Sequence, residues 1–197
     1  TAGDDASLLA SANITQSATG DVTAGGTLDV HAQGGTITMS DSGAQGLRQD
    51  TSGEALKNLL TGQGYEHCYY KVVPDRVESI VEAVLEAIEV AGADLVLTTG
   101  GTGVTGRDGT PEAVSPLLDK TIDGFGETFR AISYQQIKTS TIQSRALAGV
   151  ANGTYVFCVP GSTGACATAW DELLSAQLDI RTRPCNLAEL MPRLLET

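Results

Sequence analysis

One stretch decides how this 197-residue chain folds, and it reads Asp94-Leu-Val-Leu-Thr-Thr-Gly-Gly-Thr-Gly-Val-Thr-Gly-Arg-Asp-Gly-Thr-Pro-Glu-Ala113. The apolar run Leu95–Leu97 is typical of a parallel strand that is covered on both faces. Four glycines follow within Gly100–Asp108, and glycine lets backbone amides approach an anion closely. An acid beside such a turn, here Asp108, favours a metal ion or a reacting phosphate. The stretch therefore predicts a strand, an anion-binding turn and a helix, and it indicates nucleotide chemistry.

The sequence on both sides of this stretch alternates between strand and helix patterns. Further strands are predicted at Thr36–Met39, Tyr69–Val73 and Tyr155–Val159. Apolar residues from Val77 to Ile88 recur at i, i+3, i+4 and i+7, the spacing of an amphipathic helix. Other helices are expected to begin at Asp50 and Pro111, to cover Phe125–Ile137, and to follow Ser162. A turn is expected at Asn152-Gly153.

This alternation predicts an α/β fold, a three-layer sandwich with a mostly parallel central sheet. Ligands of such folds bind beyond the carboxyl ends of the strands. We therefore expect the loops at Ser40, Asp75, Gly100 and Pro160 to meet at one edge of the sheet.

Composition narrows the class of ligand. The net charge is −12, and the only lysines are Lys57, Lys71, Lys120 and Lys138; a nucleic-acid partner is not expected, since it needs clustered basic residues. A small anionic ligand is compatible if backbone amides, a few arginines and Mg²⁺ supply local positive charge. No apolar run approaches the roughly 20 residues that span a bilayer. Four widely spaced cysteines are expected to be reduced, which favours a cytoplasmic protein.

The composition changes near residue 33 and divides the chain into two parts. Residues 1–33 contain no lysine or arginine and are rich in alanine, glycine, serine and threonine. This extension is interpreted either as a short β-meander or solenoid-like appendage or as a flexible segment. Residues 34–197 form the predicted α/β domain.

Single motifs are ambiguous when each is taken alone. Gly101-x-Gly103-x-x-Gly106 matches the dinucleotide fingerprint, but Arg107-Asp108-Gly109 extends the loop and the helix starts late. Asp75 precedes Glu78 by three residues, which predicts a helix cap. Thr110-Pro111 likewise predicts an N-cap followed by proline at the first helical position. Pro160-Gly161-Ser162 lies at a helix start, where free N–H groups favour an anion.

Taken together and in order, these motifs resemble the MogA/MoaB family of molybdenum-cofactor biosynthesis proteins. The resemblance runs from about Thr36 to Asn186 and is carried by Thr38-Met-Ser-Asp41, Asp50-Thr-Ser-Gly53, Val73-Pro-Asp75, Leu97-Thr-Thr-Gly-Gly-Thr-Gly103, Gly106-Arg-Asp108, Thr110-Pro-Glu-Ala113, Gly124-Phe-Gly-Glu127, Gln143-Ser-Arg145 and Pro160-Gly-Ser162. The segments Thr141–Arg145 and Arg181–Asn186 look like the MoaB branch.

The resemblance implies a molybdopterin adenylyltransferase that uses Mg-ATP and molybdopterin as substrates, releases pyrophosphate, and assembles as a homotrimer or homohexamer. It implies catalytic roles for Asp75, Asp108 and Ser144, with Asp75 and Asp108 also holding Mg²⁺. It implies substrate or nucleotide contacts at these positions: Asp41, Ser52, Gly100, Gly101, Thr102, Gly103, Pro160, Gly161 and Ser162.

Two other functions remain open at this point. One is a molybdopterin-binding or scaffold paralogue that does not transfer AMP, because fold and motifs do not guarantee turnover. The other is a generic dinucleotide-binding domain, which would require nicotinamide binding. A molybdenum and a tungsten pathway are both compatible with the sequence, as are a trimer and a hexamer.

Overall fold

The computed structural model describes residues 32–196, which fold around one six-stranded sheet. The predicted extension, residues 1–33, lies outside the described residues apart from Ala32 and Gln33. The sheet has the order β2-β1-β3-β6-β5-β4. Its strands are β1 Gln33–Met39, β2 Glu66–Val73, β3 Leu95–Thr99, β4 Lys120–Thr121, β5 Leu147–Ala151 and β6 Thr154–Val159.

The helices lie between these strands, as the alternating pattern predicts. They are α1 Asp41–Ala44, α2 Thr51–Gly62, α3 Val77–Leu85, α4 Thr110–Val114, α5 Asp123–Ile137, α6 Thr163–Ala169, α7 Ser175–Gln177 and α8 Leu187–Leu190. Helix α3 continues as a π-helical turn over Glu86–Val90, and α6 continues as another over Trp170–Leu174. Three-residue or longer 3-10 turns cover Ser115–Leu117, Lys138–Gln143 and Met191–Arg193.

The predicted three-layer α/β sandwich with a mostly parallel sheet is confirmed. Strands β2, β1, β3 and β6 are mutually parallel, and β5 and β4 pair antiparallel at one edge. One face of the sheet packs against α2, α5 and α6 through buried residues such as Leu60, Phe129 and Cys166. The other face packs against α3 and α4 through Val84 and Val114. Both faces are therefore covered, which explains the continuous apolar sequence of β3.

The order of the strands fixes where a ligand can bind. From β1 the chain moves to β2 on one side through α2, and it then returns past β1 to β3 through α3 on the opposite face. The carboxyl ends of β1 and β3 are thus followed by loops that leave in opposite directions. Such a switch point opens a crevice at the edge of a parallel sheet, here between the loops after Met39 and Thr99.

Some local predictions are confirmed and others are wrong. The Asn152-Gly153 turn joins β5 to β6, and both residues adopt positive φ angles of 47° and 79°, as a tight hairpin requires. The prediction that Asp75 caps α3 is wrong: the N-cap is Arg76, and no side chain bonds the first turn. The prediction that Thr110 caps α4 is also wrong. The cap is Gly109, because the Thr110 hydroxyl is used elsewhere.

Candidate active site

The switch point opens into a cleft of about 580 Å³, a volume within the range of small-molecule sites. The loops after β1, β2, β3 and β6 all reach it, together with the segment that precedes β5. Of the predicted site residues, ten line this cleft: Asp41, Asp75, Gly100, Gly101, Thr102, Gly103, Asp108, Ser144, Pro160 and Gly161.

The remaining two predicted residues, Ser52 and Ser162, line a smaller adjoining cavity of about 230 Å³. Three residues, Met39, Ser40 and Gly161, line both spaces. The predicted positions therefore do not share a single pocket. They divide into a larger acidic cleft and a smaller cavity surrounded by hydroxyl groups.

The glycine turn after β3 has a shape that only glycine accommodates. Gly100 and Gly101 have φ angles of +107° and +61°, and a Cβ on Gly100 would lie 2.4 Å from the carbonyl oxygen of Met39. Thr110 anchors the turn, since its hydroxyl donates to the Gly100 carbonyl at 2.9 Å and its amide donates to the Gly101 carbonyl at 3.0 Å. This explains why Thr110 does not cap α4.

The amides of this turn are only partly available to a ligand. The Gly100 amide donates to the Val159 carbonyl at 3.0 Å, and the Gly103 amide lies near the carboxylate of Asp108, whose pKa it lowers. Among the described residues, the amides of Gly101 and Thr102 meet no acceptor. Because Gly101 and Thr102 also line the cleft, their N–H groups are the candidates for binding an anion there.

Asp108 closes a compact loop beyond the turn. Its carboxylate accepts hydrogen bonds from the Thr105 amide at 2.8 Å and the Thr105 hydroxyl at 2.7 Å. The Thr105 hydroxyl contributes most to lowering the pKa of Asp108, with smaller contributions from the amides of Thr105 and Gly103 and from the Arg145 charge. A Cβ on Gly103 would lie 2.7 Å from the carboxylate. Asp108 is therefore held ionised in one orientation.

Asp75 lies in a different electrostatic environment, facing a second acid. Its amide donates to the Asp41 carboxylate at 3.1 Å, and its own carboxylate accepts from the Asp41 amide at 3.3 Å. Burial raises the pKa of Asp75, and the charges of Asp41 and Asp108 raise it further, against the lowering by the Asp41 amide. The cleft thus crowds three carboxylates with few cations nearby. Arg107 is highly exposed and reaches Asp41 only at 4.0 Å.

This crowding predicts that Asp75→Asn stabilises the metal-free protein at neutral pH. The folded-state pKa of Asp75 is raised, so between its unfolded and folded values the folded protein binds more protons, and stability falls as pH rises through that window. Because the side chain is half exposed, we expect the variant to melt only about 1–3 °C above the wild type at pH 7. The difference should disappear in acid, where wild-type Asp75 is protonated. Calorimetry of both proteins from pH 3 to 8 tests this; a lower melting temperature for the variant at pH 7 would contradict it.

The smaller cavity is built by the start of α2 and the start of α6. Asp50 caps α2 by accepting from the Gly53 amide at 2.9 Å, and it also accepts from the hydroxyls of Thr38 and Tyr70 at 2.6 and 2.7 Å. Ser162 caps α6 by accepting from the Ala165 amide at 3.1 Å. Two helix N-termini and several hydroxyl groups thus surround a space that also contacts Arg48. The Asp50 carboxylate lines the same space. The environment therefore favours a polar group, with the helix N-termini and Arg48 offsetting the charge of Asp50.

The roles of several residues of the site could not be recognised from the sequence one residue at a time. Thr105 orients Asp108, Thr110 anchors the turn, and Arg145 contacts the same loop. Threonine is common in loops and here bonds the backbone through its hydroxyl, so residue type alone does not reveal the role. The motifs Thr110–Ala113 and Gln143–Arg145 do contain two of them, but only as part of the family pattern.

The acidic residues of the cleft are suitable ligands for a divalent cation that binds together with a phosphorylated substrate. Among residues 32–196, no three histidine, cysteine, aspartate or glutamate side chains form a closed metal site. Mg²⁺ needs no such cage, because it commonly binds one or two carboxylates and takes other ligands from substrate phosphates and water. Asp75 and Asp108 are oxygen donors that line one cleft with the open amides of the turn.

Fold and site together define a class of protein. It is an α/β protein with a cleft at the switch point of its sheet, lined by acidic side chains and by a glycine turn suited to an anion. The model of the family described as "Probable molybdopterin binding domain" matches residues 35–179. The chain therefore belongs to the MogA/MoaB family of molybdenum-cofactor biosynthesis proteins, as its motifs predict.

Individual relatives agree with this assignment. Molybdenum cofactor biosynthesis protein B of Escherichia coli K12 is 46% identical over 148 residues, covering 75% of this chain and 87% of that protein. The molybdopterin adenylyltransferase of Pyrococcus furiosus is 46% identical over 145 residues, covering 72% and 84%. The crystal structure of the tungsten cofactor synthesizing protein MoaB from Pyrococcus furiosus has a TM-score of 0.69 at 44% identity, covering 73% of this chain and 90% of that one.

Proposed function

We propose that this protein acts in molybdenum-cofactor biosynthesis by adenylylating molybdopterin with Mg-ATP. The observation that carries the proposal is the cleft at the β1/β3 switch point, where Asp75, Asp108 and the open amides of the glycine turn share one space. Family membership and the relative described as a molybdopterin adenylyltransferase supply the substrate class.

The reaction joins two phosphates without a covalent enzyme intermediate. An oxygen of the terminal phosphate of molybdopterin attacks the α-phosphorus of ATP, and the bond from that phosphorus to the bridging oxygen of the β-phosphate breaks. Adenylylated molybdopterin and pyrophosphate are the products. Since such transfers depend on positioning and on neutralising charge, the protein needs no strong nucleophile of its own.

The residues of the cleft supply these two requirements. The amides of Gly101 and Thr102 would stabilise the oxygens of a reacting phosphate. Asp75 and Asp108 would hold Mg²⁺, whose charge offsets that of the ATP phosphates. A bound cation would also relieve the repulsion that raises the pKa of Asp75 in its absence. Ser144, which lines the same cleft, is proposed to contact the transferred nucleotide.

The smaller cavity supports the proposal that two substrates bind side by side. Its lining includes Ser52 and Ser162 and two helix N-termini, and it adjoins the cleft at Ser40 and Gly161. We assign the two spaces jointly to the pterin and the nucleotide. Two adjoining spaces suit a reaction in which two phosphorylated substrates must meet.

Genetic complementation tests the function in a cell. The chain, expressed in a bacterial strain that lacks its molybdopterin adenylyltransferase, is expected to restore molybdoenzyme activity. A protein that accumulates normally but restores none, while still binding molybdopterin, would instead identify the non-transferring paralogue.

Location and assembly belong to the same proposal. Within the described part of the chain, none of the helices combines the length and apolar character that crossing a bilayer requires. All four cysteines lie in that part and are free thiols, which supports the reducing cytoplasm as the compartment. We propose a homotrimer or homohexamer, and sedimentation analysis distinguishes the two.

A further inference from the structure

Arg145, in the segment before β5, bonds the loop that follows β3 through both its side chain and its backbone. Its Nε donates to the Gly103 carbonyl at 2.6 Å, and its Nη2 donates to the Asp108 carbonyl at 2.6 Å. Its Nη1 pairs with the Glu112 carboxylate. Its backbone amide also donates to the Thr102 carbonyl at 2.9 Å. One residue thus makes four hydrogen bonds to the segment 102–112.

The side-chain bonds of Arg145 join the two ends of the loop 103–108. Hydrogen bonds between Thr105 and Asp108 already hold the middle of this loop together. Within the loop, the Asp108 carboxylate accepts from Thr105, and the Asp108 amide donates to the Thr105 carbonyl at 3.1 Å. The guanidinium adds the connection between the carbonyls of residues 103 and 108, which no other side chain among the described residues makes. The loop is thereby fixed relative to Ser144, the chain neighbour of Arg145.

The contacts require the shape of arginine as well as its charge. A guanidinium presents its donors in a planar fork, whereas the lysine ammonium is a compact point charge on a flexible stem. Three different nitrogens of the Arg145 side chain donate to the two carbonyls and the carboxylate. A lysine at this position would keep the positive charge but could not reach all three acceptors together.

We propose that Arg145 is a positioning residue that sets the placement of Asp108 and of the turn amides relative to Ser144. The inference rests on the proposed adenylyl transfer for its consequence in catalysis, but the structural part stands on the contacts alone. The ion pair between Arg145 and Glu112 contributes less to holding the loop, because the Glu112 side chain is 54% exposed and solvent screens such pairs. The two carbonyl contacts carry the positioning.

The test compares Arg145→Lys with the matched control Glu112→Gln. In the apo protein, amide hydrogen exchange resolved by NMR is expected to accelerate about tenfold or more at Thr105 and Asp108 in Arg145→Lys, because the loop opens locally. Amides of the central strands, such as Val156, should keep their wild-type rates. Glu112→Gln retains the carbonyl contacts and should leave the loop amides within about twofold of wild type.

Turnover provides the second readout. Arg145→Lys is expected to lower kcat about 100-fold, the scale that a displacement of about 1 Å in a catalytic group produces, with Glu112→Gln near wild type. Millimolar methylguanidinium should partly restore turnover to Arg145→Ala, and methylammonium should not, which a purely structural loss would not show. Unchanged loop exchange in Arg145→Lys, or turnover within about twofold of wild type, would overturn the inference. A wild-type protein without turnover would refute the proposed function instead, and the exchange data would still decide the role of Arg145.

Discussion

Replacing Asp108 by asparagine is expected to lower kcat/KM for adenylyl transfer about 1,000-fold, a loss of roughly 4 kcal/mol in transition-state stabilisation. The carboxylate is held ionised by Thr105 and Gly103, and asparagine removes its charge while keeping an acceptor oxygen for the Thr105 amide. The loop should therefore keep its shape. The substitution would remove the negative charge that we propose to hold Mg²⁺ against the ATP phosphates.

The measurement is steady-state release of pyrophosphate, supported by circular dichroism to show that the variant is folded. We expect its melting temperature to fall by only about 2–4 °C, since one charge-assisted acceptor is replaced by a neutral one. Asp171→Asn is the matched control, because Asp171 is exposed on the π-helical turn after α6 and lines neither cavity. Turnover by Asp108→Asn equal to that of this control would refute the assignment of Asp108.

Replacing Gly100 by alanine is expected to damage both the fold and the site. The added Cβ would lie 2.4 Å from the carbonyl oxygen of Met39, on a backbone with φ of +107°. Strained backbone and overpacking together cost about 2–4 kcal/mol, which for a chain of this size lowers the melting temperature by about 5–15 °C. Relief of the clash must separate the ends of β1 and β3, so transfer activity should be lost as well.

Gly106→Ala is the control for Gly100→Ala on the same loop. No atom lies within 4 Å of a Cβ built on Gly106, so its free energy of unfolding should stay within about 0.5 kcal/mol of wild type. Thermal unfolding and pyrophosphate release are measured for both variants. Equal melting temperatures for the two would show that the turn after β3 relaxes without cost, contrary to this account.

The fold can be predicted well from the sequence because apolar residues recur at different spacings in the strands and in the helices. The apolar run of β3 and the helical spacing from Val77 to Ile88 reflect burial, which the structure confirms on both faces of the sheet. The edges are less predictable. Strand β2 begins at Glu66 rather than Tyr69, and its first three residues carry little apolar pattern. The same is true of the two-residue strand β4.

The site likewise has features that the sequence predicts and features that it does not. Glycines at 100 and 101 are visible in the sequence because their positive φ angles leave few alternatives. The capping roles assigned to Asp75 and Thr110 fail because each residue has partners distant in sequence, Asp41 and Gly100, that outweigh the local pattern. Which predicted residue lines which cavity depends on such long-range contacts, so Ser52 and Ser162 could not be separated from the others beforehand.

Transfer of an isotope label shows whether this cleft transfers AMP to molybdopterin, as we propose. Purified protein is mixed with molybdopterin, Mg²⁺ and ATP labelled at the α-phosphate, and the products are separated. We expect the label to move to the pterin in a phosphoanhydride, with one pyrophosphate released for each AMP transferred. Molybdopterin that binds yet stays unlabelled, with no pyrophosphate released, would contradict it.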